Sequence, residues 1–225
     1  MSTATAALKS TAIRIPIGQG VWLDADVTTP PDASGVVLFA HGSGSSRHSP
    51  RNRHVATELN LLRMATVLAD LLTADEENID DRSGALRFDI PLLTRRVEHL
   101  IDWVRTYNLL STLPVGLFGA STGAAAALDA SAARPGVVRA VVSRGGRPDL
   151  ATRLPLVQAP TLLIVGGNDT EVIQMNRSAL RRLTCPRELE IIPGATHLFE
   201  EPGALESAAS AAGAWFQKHL TRRPE

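Results

Sequence analysis

The chain has little cysteine, few aromatic residues and no excess of charge. Cys185 is the only cysteine among 225 residues, so an internal disulfide is excluded and a reducing, cytoplasmic location is expected. Aromatic residues make up 4% of the sequence and hydrophobic residues 44%, which predicts a core of aliphatic and alanine side chains. Lys plus Arg and Asp plus Glu both number 23, and this balance argues against a nucleic-acid or anionic-membrane partner.

Long apolar runs are also missing. No stretch approaches the roughly 18 residues that a membrane-spanning helix needs, and the first ten residues lack the apolar segment of a signal peptide. The expectation is one α/β domain over residues 1–225 that works in solution. The sequence leaves the oligomeric state open.

The apolar segments predict an α/β fold. Residues 11–30 alternate apolar and polar side chains around Gly18 and Gly20, which indicates an antiparallel hairpin. Beyond it, short apolar runs alternate with helix-period segments, a pattern typical of a mostly parallel sheet with helices on both faces. Buried strands are predicted at 36–41, 64–71, 114–119, 138–143, 161–166 and 187–193, and helices at 52–62, 90–107, 122–133, 171–183 and 205–220.

Two connecting segments bear on the shape of a site. Residues 73–87 are polar and acid-rich, and are expected to form a surface excursion. The connection between the strands at 138–143 and 161–166 is too short for a large helical lid. An open site of this kind suits small, soluble acyl compounds better than long-chain lipids.

The most specific motif is Gly119-Ala120-Ser121-Thr122-Gly123, which follows an apolar strand and opens an alanine-rich helix. This is the context expected for the nucleophile elbow G-x-S-x-G. The strained turn brings backbone segments too close for side chains, which explains glycine on both sides of the serine. An ordinary strand-to-helix turn with Ser121 as an N-cap is the alternative. The flanking strand and helix favour the nucleophile.

Two later loops supply partners for this serine. Asp169 stands just past the carboxyl end of the strand at 161–166, and His197 follows the next predicted strand through a loop containing Gly194. An imidazole base activates a serine, and a carboxylate orients the imidazole. The chain order Ser, Asp, His is the one expected for this fold. Taken singly, Asp169 could be a turn or N-cap residue and His197 an ordinary loop histidine.

The run His41-Gly42-Ser43-Gly44 directly follows a predicted strand, where an oxyanion hole needs an exposed backbone N–H. We assign that role to the N–H of Ser43, paired with the N–H of Thr122. A glycine-rich turn or a phosphate cradle is the alternative, although the segment lacks the GK[ST] ending of a P-loop.

The motifs HGSG, GASTG, GGND and GATH occur in the order seen in α/β-hydrolases, and the layout resembles the dienelactone hydrolase family over nearly the whole chain. The resemblance implies the α/β-hydrolase fold and action on ester or lactone carbonyls. In the named dienelactone hydrolases the elbow carries cysteine. Here position 121 is serine, and Cys185 lies in a different loop.

Basic residues gather on loops at the predicted catalytic edge: Arg47, His48, Arg51 and Arg53 after the first glycine-rich turn, and Arg144 and Arg147 after a later strand. They could hold a substrate carboxylate, Arg144 and Arg147 being the candidates nearest the site. Alternatively they are solvated or paired with acidic residues of this chain, namely Asp75, Glu76, Glu77 and Asp149.

These observations predict a serine hydrolase that cleaves small esters or lactones through Ser121, His197 and Asp169. This chemistry requires no cofactor, and no metal site emerges. Two alternatives stay open: a hydrolase-fold protein that only binds a small ligand, and an acyltransferase or amidase that uses the same residues.

Overall fold

The computed structural model describes residues 8–18 and 20–220, and it places eight strands in one sheet. The strands are β1 Ser10–Gly18, β2 Val21–Thr28, β3 Gly35–Ala40, β4 Met64–Ala69, β5 Val115–Ala120, β6 Val138–Arg144, β7 Thr161–Gly166 and β8 Arg187–Ile192. The helices are α1 Pro50–Leu61, α2 Ala74–Ser83, α3 Ile90–Val104, α4 Thr122–Ala133, α5 Thr170–Arg182 and α6 Ala204–His219. Short 3-10 turns occupy Leu86–Phe88, Pro148–Leu150 and Leu154–Leu156.

The strand order is β1-β2-β4-β3-β5-β6-β7-β8. Strand β2 runs antiparallel to both β1 and β4, and the neighbouring pairs from β4 to β8 are all parallel. The mostly parallel α/β fold with its N-terminal hairpin is therefore confirmed. Because parallel strands end at the same edge of a sheet, the loops after β3, β5, β6, β7 and β8 meet along one edge.

Two apolar layers cover the sheet, one on each face. Helices α3, α4 and α5 contribute to the first layer, and α1 and α6 contribute to the second. Every residue of α4 from Thr122 to Ser131 is buried. Alanine at half of these positions lets the helix approach the sheet closely, because a methyl group occupies little space, and alanine also favours helix. The helix that follows Ser121 is therefore held firmly under the site.

Residues 73–87 lie at the surface, as expected, since Asp80 is the one buried residue of α2; the helix itself was not predicted from the sequence. It begins with a capping box in which Thr73 and Glu76 bond each other's backbone N–H. One expectation needs correction. The last strand, expected to be buried, is the edge strand β8, and most of its side chains are at least partly exposed. Within the part of the chain that the structure describes, no helix is long and apolar enough to cross a bilayer.

Candidate active site

Ser121 lies at the turn between β5 and α4 with a strained backbone, φ 49° and ψ −124°. A non-glycine residue in this region stores about 1 to 3 kcal/mol, which the surrounding structure must hold in place. A Cβ atom on Gly119 would lie 2.4 Å from the Cα of Ala124, and one on Gly123 would lie 2.2 Å from the carbonyl oxygen of Ala40. Both flanking glycines are therefore required by close backbone contacts, as the motif predicts.

Asp169 and His197 are brought together by the loops after β7 and β8. Asp169 is the N-cap residue of α5, but its side chain makes no capping hydrogen bond. Instead its Oδ2 lies 2.6 Å from Nδ1 of His197. The aspartate side chain is 15% exposed and the histidine side chain 41%. This bond engages Nδ1 of the ring and leaves Nε2 as the nitrogen that Asp169 does not hold.

The two loops that carry this pair are joined to each other. The side chain of Asn168 donates to the carbonyl oxygen of Gly194 at 2.8 Å, and its backbone N–H donates to that of Ala195 at 2.9 Å. A Cβ atom on Gly166 would lie 2.4 Å from the Ala195 carbonyl oxygen, so only glycine permits this approach. Asp169 and His197 are thus held on two loops that are hydrogen-bonded to each other.

Segment 144–147 lies between these two loops and Ser121. The N–H of Arg147 donates to the carbonyl oxygen of Ser121 at 3.0 Å. A Cβ atom on Gly145 would lie 3.2 Å from the carbonyl oxygen of His197 and 3.7 Å from its Cε1. Ser121 and His197 therefore both lie against the same four-residue segment at the carboxyl edge of the sheet.

The predicted oxyanion loop also lies against the elbow. A Cβ atom on Gly42 would lie 2.8 Å from Cβ of Ser121. Thr122 is the first residue of α4, so the helix itself offers no partner for its N–H. The N–H of Ser43 donates to Oγ1 of Thr122 at 2.9 Å. The two predicted oxyanion donors, the N–H groups of Ser43 and Thr122, are therefore close to Ser121. The Ser43 N–H is already bonded to the Thr122 side chain.

Arg144 and Arg147 have different surroundings. Arg147 makes a two-point bond to Asp149, with distances of 2.9 and 2.8 Å. Arg144 is 7% exposed, and its guanidinium lies over the rings of Phe118 and Phe199. One of its nitrogens donates to Asn52 Oδ1 at 3.3 Å, while Nη1 has no partner among the described residues.

The burial of Arg144 has an electrostatic consequence. Loss of solvation, followed by the nearby charge of Arg51, lowers the pKa of Arg144 to about 10. The side chain is still cationic at neutral pH, and no carboxylate of the described residues neutralises it. A buried charge without a partner is costly and marks a site where an anion would be stabilised.

The other three arginines named from the sequence are compensated within the chain, and His48 lies against one of them, its Nδ1 being 2.8 Å from Arg53. Arg47 bonds Asp70, Arg53 donates to Asp26 at 2.9 Å, and Arg51 lies 3.7 Å from Glu200. Among the acidic partners named from the sequence, Asp149 does pair with an arginine of the site. The acidic residues of α2 do not pair with Arg47, Arg51 or Arg53; Glu76 bonds Arg96 instead.

Helix α2, which was not predicted from the sequence, lies beside the oxyanion loop. Glu77, Asp80 and Asp81, together with Arg87, form one wall of a cavity of about 270 Å³, and residues 41–46 form another. Partial burial and then the charges of Asp70 and Asp81 raise the pKa of Glu77. The Thr73 capping box could have indicated the helix, but its place beside the oxyanion loop depends on how the helix packs.

Comparison with known proteins bears on this arrangement. The sequence model that describes the dienelactone hydrolase family matches residues 23–221. The chain belongs to the dienelactone hydrolase family. The predicted resemblance to that family is thereby confirmed.

Two curated proteins from Mycobacterium tuberculosis, from strains CDC 1551 and H37Rv, are similar to this family member. Both bear the provisional name phosphoribosyl transferase, and each is 54% identical over 195 residues. The match covers 86% of this chain and 43% of each relative. The chain thus spans less than half the length of the curated relatives that it matches.

Solved structures are similar over almost the whole chain. A dienelactone hydrolase from Anabaena variabilis shares 54% identity with a TM-score of 0.93, over 95% of this chain and 99% of that one. A lidless α/β serine hydrolase from Xanthomonas campestris shares 23% identity with a TM-score of 0.76, over 96% of this chain and 97% of that one. The second likeness concerns the fold alone.

Proposed function

We propose that the protein is a serine hydrolase that cleaves ester or lactone bonds of small acyl substrates. One observation carries the proposal: an aspartate at the N-cap of α5 bonds His197 at 2.6 Å instead of capping its own helix. That pair faces the segment that also contacts the strained Ser121. In this proposal Ser121, His197 and Asp169 act as a catalytic triad.

The reaction proceeds in two steps. Ser121 Oγ attacks the carbonyl carbon while His197 Nε2 takes its proton, and the N–H groups of Ser43 and Thr122 receive the developing oxyanion. The histidine then protonates the leaving alcohol, which leaves an acyl-enzyme. Water repeats the sequence on the acyl-enzyme and releases the acid. Asp169 stabilises the imidazolium formed in each step.

The cavity beside the oxyanion loop is small. Its volume of about 270 Å³ is just below the roughly 300 to 1,000 Å³ of typical ligand sites, and it is lined by the oxyanion loop rather than by Ser121, Asp169 or His197. A small substrate suits the space next to that loop. The connection between β6 and β7 holds only two 3-10 turns among the described residues, so it builds no helical cover over the site. The transferase name of the mycobacterial proteins describes chains more than twice as long as the matched part, and we do not extend it to this protein.

A fluorophosphonate probe tests the nucleophile directly. The serine oxygen displaces fluoride from phosphorus and forms a stable covalent bond, so peptide mapping should find the label on Ser121. Ser121→Ala is the matched control and should take up no label. Labelling at another serine, or none in the folded wild-type protein, would contradict the proposed function and favour the ligand-binding alternative.

A second experiment concerns selectivity for anionic substrates, for which Arg144 is the candidate because Arg147 is already bonded to Asp149. Arg144→Met removes the charge while retaining an apolar stem between the two rings. We expect KM for a carboxylate-bearing ester to rise about 10- to 100-fold, the equivalent of one charge-assisted hydrogen bond. KM for the matched neutral ester should change much less.

Arg147→Ala serves as the comparison and should have a smaller effect on both esters. If Arg144→Met changes KM equally for the charged and the neutral substrate, the arginine has only a structural role. If Arg147→Ala instead produces the selective loss, Arg147 binds the anionic group of the substrate. Asp149 then competes with the substrate for Arg147 in the free protein.

A further inference from the structure

His41 is a buried histidine that the proposed mechanism does not use. It is 8% exposed and directly follows β3, at the start of the oxyanion loop. Its Nε2 lies 3.0 Å from the backbone N of Leu71, and its Nδ1 lies 3.0 Å from the carbonyl oxygen of Gly42. A backbone N–H can only donate, so Nε2 accepts and Nδ1 carries the hydrogen. Burial lowers the pKa of His41, in keeping with a neutral ring.

The peptide unit between Gly42 and Ser43 is held at both ends. The carbonyl of Gly42 and the N–H of Ser43 belong to one planar trans group, so they point in opposite directions. His41 holds the carbonyl, and Oγ1 of Thr122 accepts the N–H at 2.9 Å. Thr122 is buried directly after the nucleophile, so it can keep this contact only while the loop lies against the elbow.

From these contacts we propose that His41 and the Thr122 hydroxyl are positioning residues for the oxyanion hole. They fix the Gly42–Ser43 peptide at both ends, so that the Ser43 N–H already points toward the elbow before substrate arrives. Thr122 Oγ1 accepts that N–H in the free protein, and the oxyanion, being the stronger acceptor, takes it in the transition state. This inference rests on the proposed function.

Preorganisation of this kind affects the transition state more than the bound substrate. A donor aimed in advance costs no reorganisation when charge develops, and a neutral ester carbonyl gains less from it than the oxyanion does. Loss of an entire oxyanion donor lowers kcat about 10²- to 10³-fold. Loss of the contact that aims the donor should have a smaller effect, because the N–H itself remains.

Thr122→Val is the decisive variant, since it keeps the branched shape and removes only the acceptor. We expect kcat for a short-chain ester to fall about 10-fold, with KM changed less than about twofold. Affinity for an alkyl boronic acid, which forms a tetrahedral adduct with serine, should fall by the same factor as kcat/KM. Thr122→Ser retains a hydroxyl and should keep most of the activity.

Ser131→Ala is the matched control, because it removes a buried hydroxyl from the same helix. Ser131 donates to the carbonyl oxygen of Leu128 and lies nine residues beyond Thr122, about 13 Å along the axis. It should leave kcat unchanged. His41→Asn retains a donor near the position of Nδ1 and should be more active than His41→Phe, which leaves the Gly42 carbonyl without a partner.

Amide exchange provides a readout that does not depend on catalysis. The Ser43 N–H should be protected in the wild type and in Thr122→Ser, and should exchange faster in Thr122→Val. If Thr122→Val exposes this amide but retains wild-type kcat and boronate affinity, the proposal is overturned. Unchanged protection at Ser43 would overturn it as well. A wild type that turns over no ester refutes the proposed function instead, whatever the exchange data show.

Discussion

Ser121→Ala and His197→Ala should each lower turnover of short-chain p-nitrophenyl esters by about 10⁴- to 10⁶-fold, the loss found when either member of an intact triad is removed. Without the hydroxyl no acyl-enzyme can form. Without the imidazole, the serine keeps its proton and is a weak nucleophile. The two losses should not add in the double variant, because both residues act in the same step.

Neither substitution should unfold the protein. Alanine at 121 keeps the Cβ atom and the same backbone strain, and the His197 side chain is already 41% exposed. Melting temperatures should therefore stay close to that of the wild type. Ser207→Ala and His99→Ala, at exposed positions on α6 and α3, are the controls and should retain full activity. Wild-type turnover by either site variant would remove that residue from the mechanism.

Asp169→Asn should slow ester hydrolysis at neutral pH by about 10⁴-fold. The amide has nearly the same shape, but it no longer carries the charge that stabilises the imidazolium. Its NH₂ group can also donate toward Nδ1, which would favour the tautomer in which Nε2 is protonated and cannot act as a base. Steady-state kinetics with the same esters would measure the loss.

Asp102→Asn is a suitable control for the removal of one carboxylate. Asp102 lies near the end of α3 and bonds Arg134 at 2.8 Å. Because the chain passes from the end of α3 to the amino end of β5, Asp102 lies toward the edge of the sheet opposite the site. It should leave the rate unchanged. A similar loss in both variants would indicate a general effect on stability, and a small loss in Asp169→Asn would mean that another group orients His197.

Several features of this protein could be predicted from residues adjacent in the chain. Runs of apolar residues bounded by glycine indicate parallel strands because such strands are covered on both faces. Gly119 and Gly123 indicate the elbow because a side chain at either position would overlap the backbone. Asp169 and His197 could be placed at the same edge because each follows the carboxyl end of a strand in a parallel sheet.

Other features depend on side chains that are distant in sequence and meet only after the sheet has formed. Arg144 and Arg147 look alike in the chain. Arg147 bonds Asp149 two residues away, whereas Arg144 is enclosed by Phe118 and Phe199 without a carboxylate. The sequence cannot separate them, because the partner of a buried charge is chosen by packing.

The oxyanion loop shows the same division. Its glycines and its position after a strand are visible in the sequence, but the bonds that orient the His41 ring and the Ser43 N–H come from much further along the chain. His41 bonds a backbone group 30 residues away, and Thr122 bonds one 79 residues away. Local patterns determine where the loop begins, whereas hydrogen-bond partners depend on the three-dimensional arrangement of strands, so only the tertiary structure decided which atoms aim the Ser43 N–H.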